Sequence, residues 1–205
     1  MATEIVSWIA VVIALVTSAS ILIARDWRVS LGALAVQYIA AFWLVTRHLP
    51  FVMGSAKLVT GWMVVAALGM TRLGIAHLEE QAEDSFWPRG TGFRVVLIAI
   101  ASMVAVGATP RIETAIPGLG LPVIAGGLIM IGAGVVHLGM TTDILRTTLG
   151  LLTMLTGFEV IYAAVVSSIL VVGLLAVVNL GLGITGSYLL IAGSYIPDPE
   201  GEEEL

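Results

Sequence analysis

An almost uninterrupted apolar stretch covers residues 147–192, which read TTLGLLTMLTGFEVIYAAVVSSILVVGLLAVVNLGLGITGSYLLIA. A helix that crosses the hydrocarbon core of a bilayer needs roughly 20 mostly apolar residues, so one helix of this length would far overshoot the membrane. We therefore predict two spanning helices, near 145–166 and 169–193, with a turn at Ser167 and Ser168 between them. A count of six helices rather than seven is the alternative.

The same criterion predicts five more spanning helices upstream, near 5–24, 29–47, 51–71, 94–110 and 119–140. Polar turns separate them at 25–28, at 49–50 and in the long loop 72–93, and the Thr109-Pro110 pair is expected to close the fourth helix. The predicted fold is an all-α polytopic membrane helix bundle of about seven transmembrane helices. It forms a single domain over residues 1–196, and an acidic tail over 197–205 is expected to be solvated.

The composition supports a lipid environment. Of 205 residues, 59% are hydrophobic and 11% charged, with a mean hydropathy of +1.06, whereas soluble domains carry about 25% charged residues. The absence of cysteine excludes disulfides and cysteine-based metal or redox sites. No basic patch predicts a nucleic-acid partner. The N-terminus carries Glu4 where a secretory signal would carry basic residues, which favours a retained first helix.

Basic residues in the short loops predict the orientation. In the seven-helix arrangement six arginines fall on one side of the membrane: Arg25, Arg28, Arg72, Arg89, Arg94 and Arg146. Only Arg47 and Arg111 fall on the other side. The richer side is expected to be cytoplasmic, which places the N-terminus outside and, with seven helices, the C-terminus in the cytoplasm.

Two charged residues lie well inside the predicted helices, Lys57 in the third and Glu159 in the sixth. Charged residues at membrane depth mark ion paths by default. Lys57 lies 15 residues before Arg72 and Glu159 lies 13 residues after Arg146, which at helical rise is roughly 22 and 20 Å from the same face. We predict that the two charges share one polar layer. An ion pair that only locks two helices, or two side chains that never meet, are the alternatives.

Three uncharged polar residues accompany these charges inside the helices: Gln37, Tyr162 and Asn179. Tyr162 lies about one turn after Glu159. Gln37 and Asn179 would extend a hydrogen-bonded water chain, although hydrogen bonding between helices is the commoner role of Asn and Gln in membranes.

The histidines argue against a haem between helices, because His48 is predicted near the outer surface while His77 and His137 are predicted near the cytoplasmic one. His137 is expected to be interfacial rather than a ligand. Since a phosphate-binding glycine motif is also absent, we expect no cofactor and no metal, and the spacing of Gly183 and Ser187 favours close helix contact.

Several local patterns resemble one family of membrane subunits. They are Arg25-x-x-Arg28-x-Ser30-x-Gly32-x-x-x-x-Gln37, Ser55-x-Lys57, Ile144-Leu145-Arg146 leading into Gly150, and the stretch 151–162 with its lone Glu. On these motifs, over nearly the whole chain in helix order, the sequence resembles the E component of membrane-bound group 4 hydrogenases. That component is related to the K subunit of complex I and to the C subunit of multi-subunit sodium/proton antiporters.

The resemblance implies an accessory subunit beside large antiporter-like subunits, with Lys57 and Glu159 contributing to a lateral proton or sodium path in a prokaryotic cytoplasmic membrane. Membrane lipid and those subunits would be its partners, and no catalysis is expected from the chain alone, although it would belong to a membrane oxidoreductase. The chain departs from the family pattern at three points. Gly61-Trp62 replaces a proline after the lysine, Glu159 lies about one turn late, and Asn179 stands where a second acid is often found. A structural scaffold with a decayed ion path, or a small autonomous transporter, is the alternative.

Overall fold

Seven α-helices make up the described part of the chain, which in this computed structural model covers residues 2–75, 90–166 and 168–194. They are α1 (Ala2–Ile23), α2 (Trp27–Val45), α3 (Phe51–Ile75), α4 (Thr91–Ala115), α5 (Leu121–Leu138), α6 (Ile144–Val165) and α7 (Ile169–Ser194). Each is long and apolar enough to cross a membrane, which indicates an integral membrane protein. The predicted division of the apolar stretch into two helices is confirmed, because α6 ends at Val165 and α7 begins at Ile169. Ser167 and the acidic tail lie outside the described residues.

Short polar side chains cap the starts of two helices, α2 and α6. Asp26 accepts a hydrogen bond from the Arg28 amide (2.9 Å) at the start of α2. Asp143 accepts one from the Arg146 amide (2.8 Å) at the start of α6. Each carboxylate satisfies a backbone N–H that the first turn of a helix leaves without a partner. The two aspartates therefore explain why the chain reverses at the polar turns that the sequence contains.

The turn between α4 and α5 depends on Glu113. Its carboxylate accepts from the amides of Gly118 (3.2 Å) and Gly120 (3.0 Å). Both glycines have positive φ, 98° and 83°, a conformation that other residues rarely adopt. The turn is thus held by one side chain and permitted by two glycines.

Two of the predicted helices, α3 and α4, were too short. Helix α3 continues to Ile75, beyond the predicted end at residue 71, and α4 covers Thr91–Ala115 instead of residues 94–110. Pro110 lies inside α4 and does not close it, and the Ile116 amide still bonds the Ile112 carbonyl (2.8 Å) in the next turn. The prediction counted only the apolar residues that match the thickness of the hydrocarbon core. These two helices continue beyond that core into polar residues.

Glycines set the closest helix contact, between α5 and α6. A Cβ on Gly134 would lie 2.8 Å from the Gly150 carbonyl oxygen, and one on Gly127 would lie 2.9 Å from that of Gly157. Such distances leave no room for a side chain, so the backbones approach directly, as small residues allow in membrane helices. Gly183 of α7 lies against the Val64 side chain of α3, in agreement with the close helix contact predicted there.

The helices alternate in direction, so their ends gather at two opposite ends of the bundle. The C-terminal end of α2 lies beside the start of α5, where His48 Nε2 is 2.9 Å from the Leu119 carbonyl oxygen. At the opposite end the start of α4 meets the end of α1, where Arg94 donates to the Leu22 carbonyl oxygen (3.1 Å). Helices α4 and α7 are the most peripheral, since only 17% of the most apolar window of each is buried.

Candidate ion-binding crevice

Lys57 of α3 and Glu159 of α6 form an ion pair through Lys57 Nζ and Glu159 Oε2. The lysine is the seventh residue of α3 and the glutamate lies six residues before the end of α6. Because these two helix ends lie at the same end of the bundle, both residues reach the same depth, roughly 9 Å along each helix. The two residues that the sequence placed in one layer therefore meet directly.

Burial makes this pairing energetically necessary. The Lys57 and Glu159 side chains are only 8% and 6% exposed. Removing water from a single buried charge costs several kcal/mol, of the order of 3–5 when its partner is deleted. Each residue is therefore tolerated inside the bundle only while the other compensates it.

The pair forms part of the wall of a partly open crevice with a volume of about 30 Å³, room for about two water molecules. Helix α3 packs mainly against α2 and α7, and α6 packs mainly against α5, α7 and α2. The ion pair thus bridges two helices that are not close neighbours. The other lining residues are mostly apolar and come from the C-terminal end of α2, the start of α3, the end of α6 and the start of α7: Val45, Leu49, Met53, Thr60, Tyr162, Ala163, Val166, Val171, Val172, Leu175, Ala176 and Asn179.

Two polar atoms of the pair, Lys57 Nζ and Glu159 Oε1, make no hydrogen bond within the described part of the chain. Glu159 Oε1 is buried and makes no hydrogen bond to any described residue, and Lys57 Nζ makes none beyond its contact with the carboxylate. Buried polar atoms in proteins are nearly always hydrogen-bonded to protein or to water. The crevice in front of this carboxylate is therefore the natural place for water or for a mobile proton.

Two of the three accompanying polar residues lie in the same crevice. Tyr162 lines it, and its ring stacks on Phe158 with centroids 5.5 Å apart. Asn179 also lines it, although the residue as a whole is 1% exposed. The structure thus brings four of the five predicted residues to one place.

Gln37 lies outside the crevice lining. It is fully buried, donates to Ser18 Oγ (3.0 Å) and accepts from Thr153 Oγ1 (3.4 Å). These bonds join α1, α2 and α6, which is the helix-bonding role that is common for amides in membranes.

Tyr38 is the residue that sequence reasoning missed. Its hydroxyl donates to Asn179 Oδ1 (3.1 Å). Its ring fills the space left by Gly61, one turn after Lys57. The available signal was its position beside Gln37, in the middle of an otherwise apolar helix.

A cluster of basic residues lies at the opposite end of the bundle. His137 lies in the last turn of α5, as the sequence places it, but its side chain is 4% exposed and lines a small cavity with Arg94 and Arg146. Its place at the membrane interface stays a prediction, and within the bundle the ring lies beside Gly150 of α6. His77 lies outside the described residues.

The crevice holds few polar groups. It offers one carboxylate, one ammonium group and a few neutral oxygens within an apolar wall. Among the residues that the structure describes, no group of three or more His, Asp or Glu side chains is placed to hold a metal ion.

Comparisons with protein-family models, with curated proteins and with solved structures found no match for this chain. The family resemblance therefore rests on the motifs in the sequence, and the geometry of the crevice is the independent basis for a function.

Proposed function

We propose that this chain is a small accessory membrane subunit of an ion-translocating complex of the complex I-like or group 4 hydrogenase-like kind. The observation that carries the proposal is the buried Lys57–Glu159 pair, which meets inside the apolar bundle at the wall of a partly open crevice. Charges at this depth are expensive, and proteins retain them mainly on ion paths.

The surroundings of the pair favour a role in ion transfer over a role that only holds α3 and α6 together. A pair that serves only stability gains from complete hydrogen bonding, because partly satisfied buried polar groups are costly. Here Glu159 Oε1 faces no partner among the described residues, and the pair borders open space. An unsatisfied carboxylate oxygen beside a crevice is a group that can take up and release a cation.

The polar residues of the crevice are proposed to form a layer that runs parallel to the membrane plane. Lys57 on α3 and Glu159 on α6 lie at one depth, and Asn179 on α7 lines the same crevice. A path in this plane serves a subunit that passes ions to neighbours on either side. By the resemblance, those neighbours are larger antiporter-like subunits, and the peripheral helices α4 and α7 offer outward faces for them or for lipid.

The remaining features of the proposal follow the resemblance. The subunit carries no redox cofactor and no catalysis of its own. It resides in a prokaryotic cytoplasmic membrane with its N-terminus outside, since the arginines at the ends of α1, α3 and α6 gather at one end of the bundle. They are Arg25, Arg72 and Arg146.

A structural scaffold is the second candidate, and one observation favours it. Asn179, which stands where a family member often has an acid, is engaged by Tyr38 in a buried hydrogen bond. A side chain held in this way joins α2 to α7. In a scaffold, the Lys57–Glu159 pair would join α3 to α6 in the same manner.

Gentle extraction tests the assignment to a complex. The tagged full-length chain, expressed in its own host, is solubilised in mild detergent and analysed by native mass spectrometry. Co-purification with large antiporter-like chains in fixed stoichiometry is the expected result. A chain that runs alone or only with copies of itself contradicts the proposal.

A further inference from the structure

We propose that the small cavity between Arg94, His137 and Arg146 is a binding site for a phosphate group, which an anionic phospholipid presents at the membrane surface. The inference does not depend on the proposed function, because this cavity lies at the end of the bundle opposite the Lys57–Glu159 pair. It follows from the chemistry of the cavity lining and from the position of the cavity along the helices.

The cavity is formed where the ends of four helices meet. Its lining residues are Leu22 of α1, Arg94 of α4, His137 of α5, Arg146 of α6, and Met140 and Thr141 of the turn between α5 and α6. Its volume is about 10 Å³, which is enough for one water molecule or for one oxygen atom of a larger ligand. A phosphate group at its mouth can therefore place one oxygen inside.

His137 supplies a buried nitrogen that lacks a partner. The residue is 4% exposed, and its Nε2 makes no hydrogen bond to any described residue. Buried polar atoms in proteins are nearly always hydrogen-bonded to protein or to a molecule bound there. With a proton on Nε2, the ring can donate to a phosphate oxygen in the cavity.

Two guanidinium groups supply positive charge to the same cavity. Arg94 is 7% exposed and donates to the Leu22 carbonyl oxygen (3.1 Å), which holds its side chain against the end of α1. Arg94 and Arg146 also have other interactions within the chain. Because a guanidinium carries five N–H donors in a planar fork, it can bond a phosphate oxygen in addition to such partners.

Acidic side chains do not line the cavity in the part of the chain that the structure describes. Asp143, the acid closest in sequence to Arg146, caps α6 by accepting from the Arg146 amide (2.8 Å). A cavity with two guanidinium groups and an imidazole in its wall attracts an anion more strongly than it attracts a neutral ligand. Arginine in particular favours phosphate, to which it donates charge-assisted hydrogen bonds.

The depth of the cavity fits a lipid headgroup. Arg94 is the fourth residue of α4, Arg146 is the third of α6, and His137 is the last but one of α5, so that each lies within roughly 5 Å of the end of its helix. Helix α5 has 18 residues, which gives a length of roughly 27 Å, close to the thickness of the hydrocarbon core. The cavity therefore lies where hydrocarbon meets headgroups, and basic pockets between membrane helices are known to bind phospholipid headgroups there.

The first test measures lipid binding by native mass spectrometry. Delipidated full-length protein in neutral detergent is titrated with phosphatidylglycerol and, separately, with phosphatidylcholine of the same acyl chains. Arg146→Gln removes one charge from the lining. Arg28→Gln is the matched control, because it removes the same charge from an exposed residue at the same end of the bundle, outside the lining. Inorganic phosphate is added in a further titration to compete with the lipid.

The second test needs no variant that folds. Full-length wild-type protein labelled with ¹⁵N-histidine is placed in phosphatidylglycerol bilayers, and the ¹⁵N–³¹P dipolar coupling is measured by solid-state NMR. The chain has three histidines, and His137→Gln shows which resonance belongs to His137. The expected result is a coupling at His137 Nε2.

We expect wild-type protein to bind phosphatidylglycerol at least about fivefold more tightly than phosphatidylcholine, and Arg146→Gln to lose about fivefold in that affinity. Arg28→Gln should stay within about twofold of wild type, because an exposed charge is screened. Displacement of the lipid by inorganic phosphate at equal concentration would keep the phosphate site and overturn the lipid as its source. Equal binding of the two lipids, equal losses in the two variants, or no coupling at His137 in wild-type protein each overturns the site.

Discussion

The ring of Tyr38 in α2 lies directly against Gly61 of α3, where an added Cβ would come within 2.5 Å of the ring. The hydroxyl of the same tyrosine holds Asn179 of α7. One side chain thus fixes the spacing of α2 and α3 and ties α7 to both, one turn away from Lys57. The contribution of this contact to stability can be measured.

Replacing Gly61 by alanine should destabilise the protein, because the tyrosine ring has no room to move away from the new methyl group. The expected loss is about 1–3 kcal/mol for overpacking, reduced by up to about 1 kcal/mol from the better helix propensity of alanine. Gly69→Ala in the same helix is the matched control, since its Cβ would lie 3.7 Å from Leu31, an ordinary contact. Reversible unfolding in mixed micelles gives the free energy of unfolding of each variant. Equal stability of the two variants would show that the Tyr38 ring can move to accommodate the methyl group.

The α5–α6 contact should be equally intolerant. Gly157→Ala would place a methyl group 2.8 Å from the Ile131 amide nitrogen, and backbone cannot retreat as a side chain can. We expect a loss of about 1–3 kcal/mol. Gly173→Ala on α7 meets nothing within 4 Å and should be neutral or slightly stabilising. Thermal melts of the two variants in the same detergent provide the comparison, and a stable Gly157→Ala protein would contradict the packing.

The Lys57–Glu159 pair should show strong coupling in a double-mutant cycle. Lys57→Met or Glu159→Gln alone leaves a buried charge or dipole without its partner, with an expected cost of about 3–5 kcal/mol for the lysine deletion. The double variant should be more stable than the sum of the single losses predicts. Free energies of unfolding for the four proteins give the coupling, and additive losses would mean that the two side chains do not meet in the membrane.

Tyr38→Phe should remove the α2–α7 hydrogen bond while keeping the ring on Gly61. Hydrogen bonds between membrane helices contribute about 0.6 kcal/mol on average and up to about 1.7 kcal/mol, so a loss of about 0.6–1.7 kcal/mol is expected. Tyr188→Phe is the control, because Tyr188 is 68% exposed on α7. Hydrogen exchange of α7 amides, which should speed up in Tyr38→Phe alone, separates a local release of α7 from general destabilisation.

The number of helices could be predicted because it depends on one quantity, the length of apolar sequence against the thickness of the membrane. The ends of α3 and α4 could not, since helices continue into polar residues such as Arg72 and Arg111 where that quantity no longer applies. Pro110 misled the prediction because a proline near the end of a helix removes only one of its hydrogen bonds.

The sequence predicts that Lys57 and Glu159 lie at the same depth in the membrane. It does not predict whether their side chains point towards each other. Counting residues from basic anchors gives the height of a side chain, whereas its azimuth depends on how α3, α6 and α7 pack. Gln37 shows the same limit, since it lies at a plausible height but bonds Ser18 and Thr153 away from the crevice. Tyr38 was missed because its position beside Gln37 does not show whether its hydroxyl is bonded inside the bundle or at the surface.

The most direct test of the central claim is ion translocation by the native complex that contains this chain, measured in inverted membrane vesicles. The Glu159→Gln variant is compared with wild type and with Glu4→Gln, the same chemical change at an exposed site in the first turn of α1. A translocation rate that falls at least about tenfold in Glu159→Gln, with the complex still assembled and Glu4→Gln unaffected, is the predicted result. Full translocation by an assembled Glu159→Gln complex would contradict an ion path through this crevice and leave the pair as a lock between helices.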